Sequence, residues 1–91
     1  MIGSFRSRTL ARFWNDGDGS KISPELQDRL RRRLEVIHLA TDFRDFELPG
    51  FRFHRLHGKP VRYSVHVNGP WCVTFEWDGK NALLLDFEQY H

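Results

Sequence analysis

The sequence contains little cysteine and no long hydrophobic run. The single cysteine among 91 residues excludes an internal disulfide, and no apolar stretch has the length of a transmembrane helix or the pattern of a signal peptide. Charge of one sign is not in large excess either, because 14 Lys and Arg stand against 12 Asp and Glu, a net charge of +2. That balance is compatible with a polyanionic partner but is too small to demonstrate one. We therefore expect a cytoplasmic protein that has no membrane segment.

The sequence does contain enough large apolar side chains for one folded unit. Aromatic residues make up 14% and charged residues 29% of the chain, which is typical of a globular domain rather than a disordered segment. A chain of 91 residues supports one modest hydrophobic core. We predict a single domain that spans residues 1–91.

Residues 51–91 carry the alternation of apolar and polar side chains that is typical of strands. Short turns that contain glycine separate the alternating segments and predict antiparallel neighbours. The polar positions include Arg62 and, if the first segment is also a strand, Arg52 and His54. The apolar positions are Val61, Tyr63, Val65, Val67, Trp71, Val73, Phe75, Trp77, Leu83, Leu85 and Phe87. We therefore predict four strands with one apolar face and one open, basic face.

Two segments before residue 51 have apolar residues at the three- and four-residue spacing of a helix. The first begins at Ser7 and ends at Gly17, since glycine favours a helix C-terminus. The second begins at Ser23-Pro24-Glu25, which combines an N-cap residue, a proline at the first helical position and an acid in the first turn. The apolar stripes are Leu10, Phe13 and Trp14 in the first helix, and Leu26, Leu30, Leu34, Ile37 and Ala40 or Thr41 in the second.

Three smaller features complete the predicted fold. Ile2 and Phe5 favour a brief edge strand beside the sheet. The arginines of the second helix are interpreted as a solvated face, because surface charge usually is; they are Arg29, Arg31, Arg32 and Arg33. Phe43, Phe46 and Leu48 are expected to close one end of the core. The predicted class is α+β, with two N-terminal helices packed on one face of a small twisted antiparallel sheet.

Metal binding is not expected from this sequence. The acidic loop at residues 15–20 lacks the glutamate that a calcium loop carries at its twelfth position. His54 and His57 are three residues apart and would point to opposite faces of a strand, and Cys72 and His91 do not complete a recognisable zinc set. We predict no metal and no cofactor, and we interpret Cys72 as an inert small residue.

Several segments resemble the HigB branch of the RelE superfamily. They are the stretch Phe53 to Lys59, the strand Tyr63 to Asn68, Trp71 with Phe75 and Trp77, and the final Tyr90-His91. The resemblance covers nearly the whole chain, and its most specific parts are the tail and a Ser-x-x-Val-Asn pattern followed by tryptophan. It implies a RelE-like fold and a toxin of a type II toxin-antitoxin system that cleaves messenger RNA in the ribosomal A site. It also implies a HigA-type helix-turn-helix antitoxin, with operator DNA contacted only through the antitoxin complex.

Cleavage of RNA without a metal requires a base for the 2′-hydroxyl proton, an acid for the leaving 5′-oxygen, and cations around the phosphate. With the resemblance, His54, Tyr90 and His91 are the catalytic candidates, because an imidazole with a pKa of about 6.5 suits both proton transfers. The RNA-binding candidates are Arg52, Arg55, His57, Lys59 and Arg62. Alternation places Arg52, His54 and Arg62 on the open face, where we expect the C-terminal tail to fold back beside them.

The chain departs from the pattern of the family that it resembles. HigB toxins usually carry an arginine after the strand tryptophan, where this chain has Cys72, and an acid before the final Tyr-His, where it has Gln89. The loop lysine is displaced, with His57 in its place and Lys59 two residues on. Three outcomes stay open. His57, Lys59 and Arg62 compensate for the missing charges, the enzyme is slow, or the protein is a catalytically weak relic that still binds its antitoxin. The alternative function is a non-catalytic or weakly active homologue that mainly binds the antitoxin within an operator-binding repressor complex.

Overall fold

The computed structural model describes residues 1–90. Its elements are α1 Arg8–Asp16, α2 Pro24–Leu39, a 3₁₀ helix Phe43–Phe46, β1 His54–Arg55, β2 Tyr63–Asn68, β3 Trp71–Trp77 and β4 Ala82–Gln89. The four strands form one antiparallel sheet in the order β1-β2-β3-β4. The predicted α+β class and the four antiparallel strands are therefore confirmed. Within residues 1–90, no helix has the length and apolar character needed to cross a membrane.

The helix boundaries follow from their capping residues. The Ser7 hydroxyl accepts a hydrogen bond from the Leu10 N–H at 3.1 Å, which satisfies a backbone donor at the start of α1. Gly17 ends α1 with a φ of 70°, a left-handed conformation that glycine adopts at little cost. α2 begins at Pro24 and carries Glu25 in its first turn, close to the positive end of the helix dipole. Both predicted starts and the end at Gly17 are confirmed.

The core lies between the helices and one face of the sheet. Its fully buried members include Leu30 and Ile37 from α2, and Val65 and Phe75 from the sheet. Burial of each such side chain contributes about 1.5–3 kcal/mol to folding. Ala40 is also buried, at 4% exposed, so the α2 stripe extends to that residue and not to the exposed Thr41.

The end of the core is closed by fewer residues than predicted. Phe46 is fully buried, and its ring centroid lies 5.3 Å from that of Phe75. Phe43 remains 40% exposed and covers the aromatic cluster from outside, with its ring centroid 4.9 Å from that of Tyr63. Leu48 is 43% exposed. The prediction is confirmed for Phe46 and wrong for Leu48, which lies beyond the 3₁₀ helix.

The arginines of α2 are not all solvated. The Arg33 Nε–H donates to the His66 carbonyl at 2.8 Å, and an Arg29 Nη–H donates to the Val67 carbonyl at 3.4 Å. Arg33 also lies over the Phe51 ring, 4.2 Å from its centroid. The interpretation as a solvated face is therefore wrong for the half-buried Arg33, whereas Arg29 is exposed as predicted. β1 pairs with β2 at Tyr63 and Ser64. The two arginines donate to β2 carbonyls further along the strand, where β1 no longer covers its edge.

A β-bulge interrupts β4. Thr74 pairs with Asp86 and Glu76 pairs with Leu83, so a single residue of β3 lies opposite two residues of β4. One of those two is Leu84, whose φ of 52° is rarely adopted by a residue with a side chain. The bulge shifts the alternation of the strand by one position.

This shift corrects one predicted position on the apolar face. Ala82 is fully buried in the core, whereas Leu83 pairs with Glu76 and therefore points to the polar side. The prediction that Leu83 belongs to the apolar face is wrong. Leu85 is fully buried and Phe87 packs against the core, as predicted, because both follow the bulge.

The N-terminal segment completes the sheet at its β4 edge. Ile2 and Phe5 form isolated parallel bridges with Ala82 and Leu85, respectively. The Leu85 N–H donates to the Ser4 carbonyl at 3.1 Å. The predicted edge segment is confirmed, and the first residues of the chain therefore lie next to its last strand.

Candidate active site

The sheet face opposite the helices carries one polar side chain from each strand. His54 of β1 pairs with Ser64 of β2, Ser64 pairs with Thr74 of β3, and Thr74 pairs with Asp86 of β4. Directly paired residues point to the same side of a sheet, so these four side chains share one face. Ser64 and Thr74 are only 1% and 0% exposed. The face is polar, as predicted, but its centre is buried rather than open.

A cleft of about 530 Å³ lies on this face. It is lined by the loop at residues 56–60, by Arg62, by Tyr90 and by Arg6 from the N-terminal segment. Of the described residues that line it, four are basic and none is acidic. A concave, basic cleft of this kind suits an anionic ligand such as the RNA backbone.

Arg62 forms the buried floor of the cleft. The residue is only 8% exposed, and its Nη2 group donates to the Leu84 carbonyl at 2.8 Å and to the Thr74 hydroxyl at 3.1 Å. Its Nη1 group lies 3.4 Å from a carboxylate oxygen of Glu76. Arg62 thus faces the predicted side, but much of its hydrogen-bonding capacity is used within the protein.

Glu88 extends this network and was not anticipated from the sequence. A guanidinium group can only donate, so the Thr74 hydroxyl accepts from Arg62 and has its own proton available for Glu88. The Thr74 hydroxyl accordingly donates to the Glu88 carboxylate. Asp86, Glu88 and Tyr90 occupy alternate positions after the bulge, and this spacing is the sequence signal that could have placed Glu88 on the polar face.

Tyr90 lines the cleft directly. Its N–H donates to the Pro70 carbonyl at 2.7 Å, which continues the pairing of β4 by one residue. Burial raises the pKa of the Tyr90 phenol, and the nearby Glu88 charge raises it further. The phenol is therefore protonated at neutral pH, so it is able to donate a hydrogen bond or a proton.

His54 is exposed, and a hydrogen bond to the backbone identifies which of its ring nitrogens carries the hydrogen. His54 Nδ1 lies 2.9 Å from the Arg52 carbonyl oxygen. Because that oxygen can only accept, Nδ1 carries the hydrogen and the lone pair of the neutral ring lies on Nε2. Arg52 has a φ of 45°, a strained conformation of the kind that occurs at functional sites. An accessible Nε2 lone pair is what a general base requires.

The remaining predicted residues divide into three groups. His57 and Lys59 line the cleft together with Arg62 and Tyr90. Arg55 lines a neighbouring depression of about 280 Å³ that it shares with His57. Arg52 lines neither, although its carbonyl contacts His54. His91 lies outside the described residues.

Cys72 occupies a buried position on the polar face. It is 8% exposed and pairs with His66 on one side and Glu88 on the other. The side chain therefore contributes no positive charge near Glu88. Within residues 1–90, no group of three or more His, Cys, Asp or Glu side chains is arranged to hold a metal ion.

Comparison with known proteins gives two matches over almost the entire chain. A family model described as the RelE-like toxin of the type II toxin-antitoxin system HigB matches residues 3–91. The chain is also 30% identical over 92 residues to a protein from Proteus vulgaris named endoribonuclease HigB, and the match covers 100% of both chains. Both matches include the helices, the sheet and the cleft.

Proposed function

The chain belongs to the HigB-like toxins of type II toxin-antitoxin systems, and from this premise we propose that it is an endoribonuclease that cleaves messenger RNA in the ribosomal A site without a metal ion. Membership in the family implies an antitoxin as its partner. The name of the Proteus vulgaris relative supports ribonuclease chemistry. The observation that carries the proposal is the basic cleft lined by Tyr90, on the sheet face that also bears the exposed His54, whose Nδ1 is held at the Arg52 carbonyl. His54 itself is not among the residues that line the cleft.

In the proposed reaction, His54 Nε2 takes the proton of a ribose 2′-hydroxyl. The 2′-oxygen then forms a bond to phosphorus while the bond from phosphorus to the 5′-oxygen breaks, which leaves a 2′,3′-cyclic phosphate. Tyr90 or His91 gives a proton to the departing 5′-oxygen. His57 and Lys59 bind the phosphate, whose negative charge increases in the transition state. Arg62 adds positive potential from the floor of the cleft.

The polar network supports these roles by fixing the groups beneath the cleft. Arg62, Thr74 and Glu88 are joined by hydrogen bonds, and the Nη2 group of Arg62 that donates to Thr74 also donates to the Leu84 carbonyl. A network whose members are all hydrogen-bonded keeps its geometry as charge develops above it. Tyr90 follows Glu88 by two residues and is held by its own backbone bond to Pro70.

We further propose that residues 1–91 act as one domain in the cytoplasm, where the ribosome and messenger RNA are found. The antitoxin is proposed to be of the HigA type, with a helix-turn-helix that contacts operator DNA. Absence of a membrane-spanning helix from the described residues is compatible with this setting.

The test is induction of wild type, His54→Ala, Tyr90→Phe and His91→Ala in cells without antitoxin, followed by growth measurement and mapping of messenger RNA ends. Wild type is expected to arrest growth and to produce codon-phased cuts. Loss of a proton-transfer group lowers the rate by about 10²–10⁴-fold. His66→Ala is the matched control, because the His66 ring is held at the Gly69 carbonyl, 2.9 Å away, and does not line the cleft.

A second function is favoured by the position of Cys72. An uncharged, buried side chain next to Glu88 leaves less positive potential on the polar face than an arginine would supply. The second candidate is a weakly active or inactive toxin homologue that mainly binds its antitoxin. Harmless expression of wild type and of every variant, with no new RNA ends, would favour this candidate over the enzyme.

A further inference from the structure

Arg6 brings a positive charge to the cleft from the opposite end of the chain. It lines the cleft together with Lys59, Arg62 and Tyr90, although no motif in the sequence points to it. Its side chain is exposed. Of the described residues that line the cleft, the other basic ones come from the segment that spans residues 57–62.

The backbone of Arg6 is held firmly on β4. Its N–H donates to the Leu85 carbonyl at 2.7 Å, directly after the bridge between Phe5 and Leu85. On the other side, the Leu84 N–H donates to the Ser4 hydroxyl at 2.9 Å. These contacts fix where the Arg6 side chain begins, and that side chain extends from the backbone into the cleft lining.

The bulge in β4 explains why two arginines meet at this point. Leu84, with its φ of 52°, directs its carbonyl to the Arg62 guanidinium, 2.8 Å away. The next carbonyl, that of Leu85, accepts from the Arg6 backbone. Successive peptide groups of one bulge therefore position Arg62 on the floor of the cleft and Arg6 beside it. Bulges commonly redirect a strand in this way next to functional sites.

Arg62 and Arg6 differ in the acidic side chains that already lie near their positive charge. Arg62 is paired with Glu76 and is linked through Thr74 to Glu88. Of the ion pairs formed between described residues, none involves Arg6. Among residues 1–90, Arg6 therefore has no ion pair to break when it binds an external phosphate, whereas Arg62 has one with Glu76.

We propose that Arg6 is a phosphate-binding residue of the cleft and, together with Lys59, holds the backbone of single-stranded RNA. This inference rests on the proposed function, because it takes RNA as the ligand. Arg62 then supplies potential from below, while Arg6 and Lys59 make the direct contacts. The recognition is independent of sequence, as is usual for contacts to phosphate.

The experiment measures binding of a short single-stranded RNA whose 2′-hydroxyls are methylated, so that it cannot be cut, by fluorescence anisotropy over a series of salt concentrations. Arg6→Ala is expected to weaken binding about tenfold at low salt through loss of one charge-assisted contact. The plot of log K against log salt has a negative slope, and the substitution should make that slope shallower by about 0.7, the value for one phosphate contact on a single strand. Arg6→Lys keeps the charge and should recover part of the affinity.

Arg12→Ala is the matched control. Arg12 is an exposed arginine of α1 that lines a different depression, next to Asp18, and its removal should leave affinity and salt slope unchanged. Circular dichroism melts verify folding, and Arg6→Gln replaces Arg6→Ala if the alanine variant melts early. Equal binding by the Arg6 and Arg12 variants, with cleavage by wild type intact, overturns the role of Arg6 alone. A wild type that neither binds the RNA nor cleaves messenger RNA overturns the proposed function as well.

Discussion

On the helix-covered face of the sheet, Val65 and Phe75 are fully buried among apolar side chains; on the opposite face, Thr74 is buried as deeply but is hydrogen-bonded to Arg62 and Glu88. Ser64, its neighbour in β2, is also buried, and its hydroxyl has no hydrogen-bond partner among residues 1–90. Apolar burial is non-directional, so the first face tolerates small shifts of its members. Buried polar groups require partners at defined distances and angles. The second face is therefore built around Arg62, which directly precedes β2 and whose hydrogen bonds reach β3 and β4. One face supplies most of the stability, and the other supplies a fixed polar surface for chemistry.

The largest effect is expected on the apolar face. Phe75→Ala removes a fully buried ring at the centre of β3 and should lower the free energy of unfolding by about 3–5 kcal/mol. Urea denaturation followed by tryptophan fluorescence measures the change. A loss below about 1 kcal/mol would show that the core does not depend on this ring in the way that its burial indicates.

A smaller loss is expected for the centre of the polar face. Arg62→Met preserves much of the apolar volume but leaves Thr74, Glu76 and the Leu84 carbonyl without their donor, at a cost of about 1–3 kcal/mol. Lys59→Ala, in the same cleft but exposed, should change stability by less than about 0.5 kcal/mol. Equal stability of the two variants in urea denaturation would mean that the Arg62 network is not structural.

The backbone of Arg52 gives a prediction of about 1–2 kcal/mol. Its φ of 45° is strained for any residue with a Cβ, so Arg52→Gly should be more stable than Arg52→Ala by about 1–2 kcal/mol. Both variants lose the same charge and keep the carbonyl that contacts His54. Thermal or urea unfolding of the two variants measures the difference in their free energies of unfolding. Equal values would contradict strain at this backbone position. If activity is equal in both and in wild type, Arg52 acts through its carbonyl rather than its guanidinium.

The smallest effect concerns the titration of Tyr90. Its pKa is raised, so the phenolate should form above the ordinary value of about 10. The stability contributed by the protonated phenol is then complete below the pKa of the unfolded chain and is lost as pH rises through the folded pKa. Absorbance titration of the phenolate in Tyr63→Phe isolates Tyr90. Adding Glu88→Gln should lower the Tyr90 pKa towards its ordinary value, and an unchanged pKa would contradict the influence of the Glu88 charge.

Local signals in the sequence were sufficient for the helices and for most of the sheet. Ser7, Gly17 and Pro24 act through hydrogen bonds and dihedral preferences within a few residues, so their meaning can be read without the rest of the fold. Alternation in β2 and β3 also identified the apolar face correctly. The resemblance to the HigB family rests on the Ser-x-x-Val-Asn pattern followed by tryptophan in β2 and β3 and on the Tyr90-His91 tail, and the family match confirms it.

The failures arise where distant segments determine the structure. Nothing local marks Leu84 as a left-handed residue, because the bulge depends on Ser4 and Arg62, which are remote in sequence. For the same reason, Leu83 was assigned to the wrong face. Arg33 contacts Phe51 and the His66 carbonyl, which belong to other elements than α2. Such contacts cannot be inferred from the helix sequence, so the interpretation as a solvated residue fails for Arg33.

The candidate site shows the same division. The motif identified His57, Lys59 and Tyr90, which the structure gathers in one cleft, although their roles remain proposals. Arg6 has no motif around it and reaches the cleft through pairing with β4, so sequence reasoning had no means of finding it. Burial of Arg62 was also unforeseen, since alternation gives the face of a residue and not how deeply the surrounding chain covers it.

The pairing of the first residues with β4 has a consequence during protein synthesis. The cleft draws on Arg6, which is synthesised before the rest of the cleft, and on Leu84 and Tyr90, which are synthesised after β2 and β3. A nascent chain therefore holds no complete cleft until its final strand has emerged and paired with its beginning. On the proposed function, a chain synthesised only as far as β3 lacks Leu84 and Tyr90 and therefore has no assembled cleft for RNA.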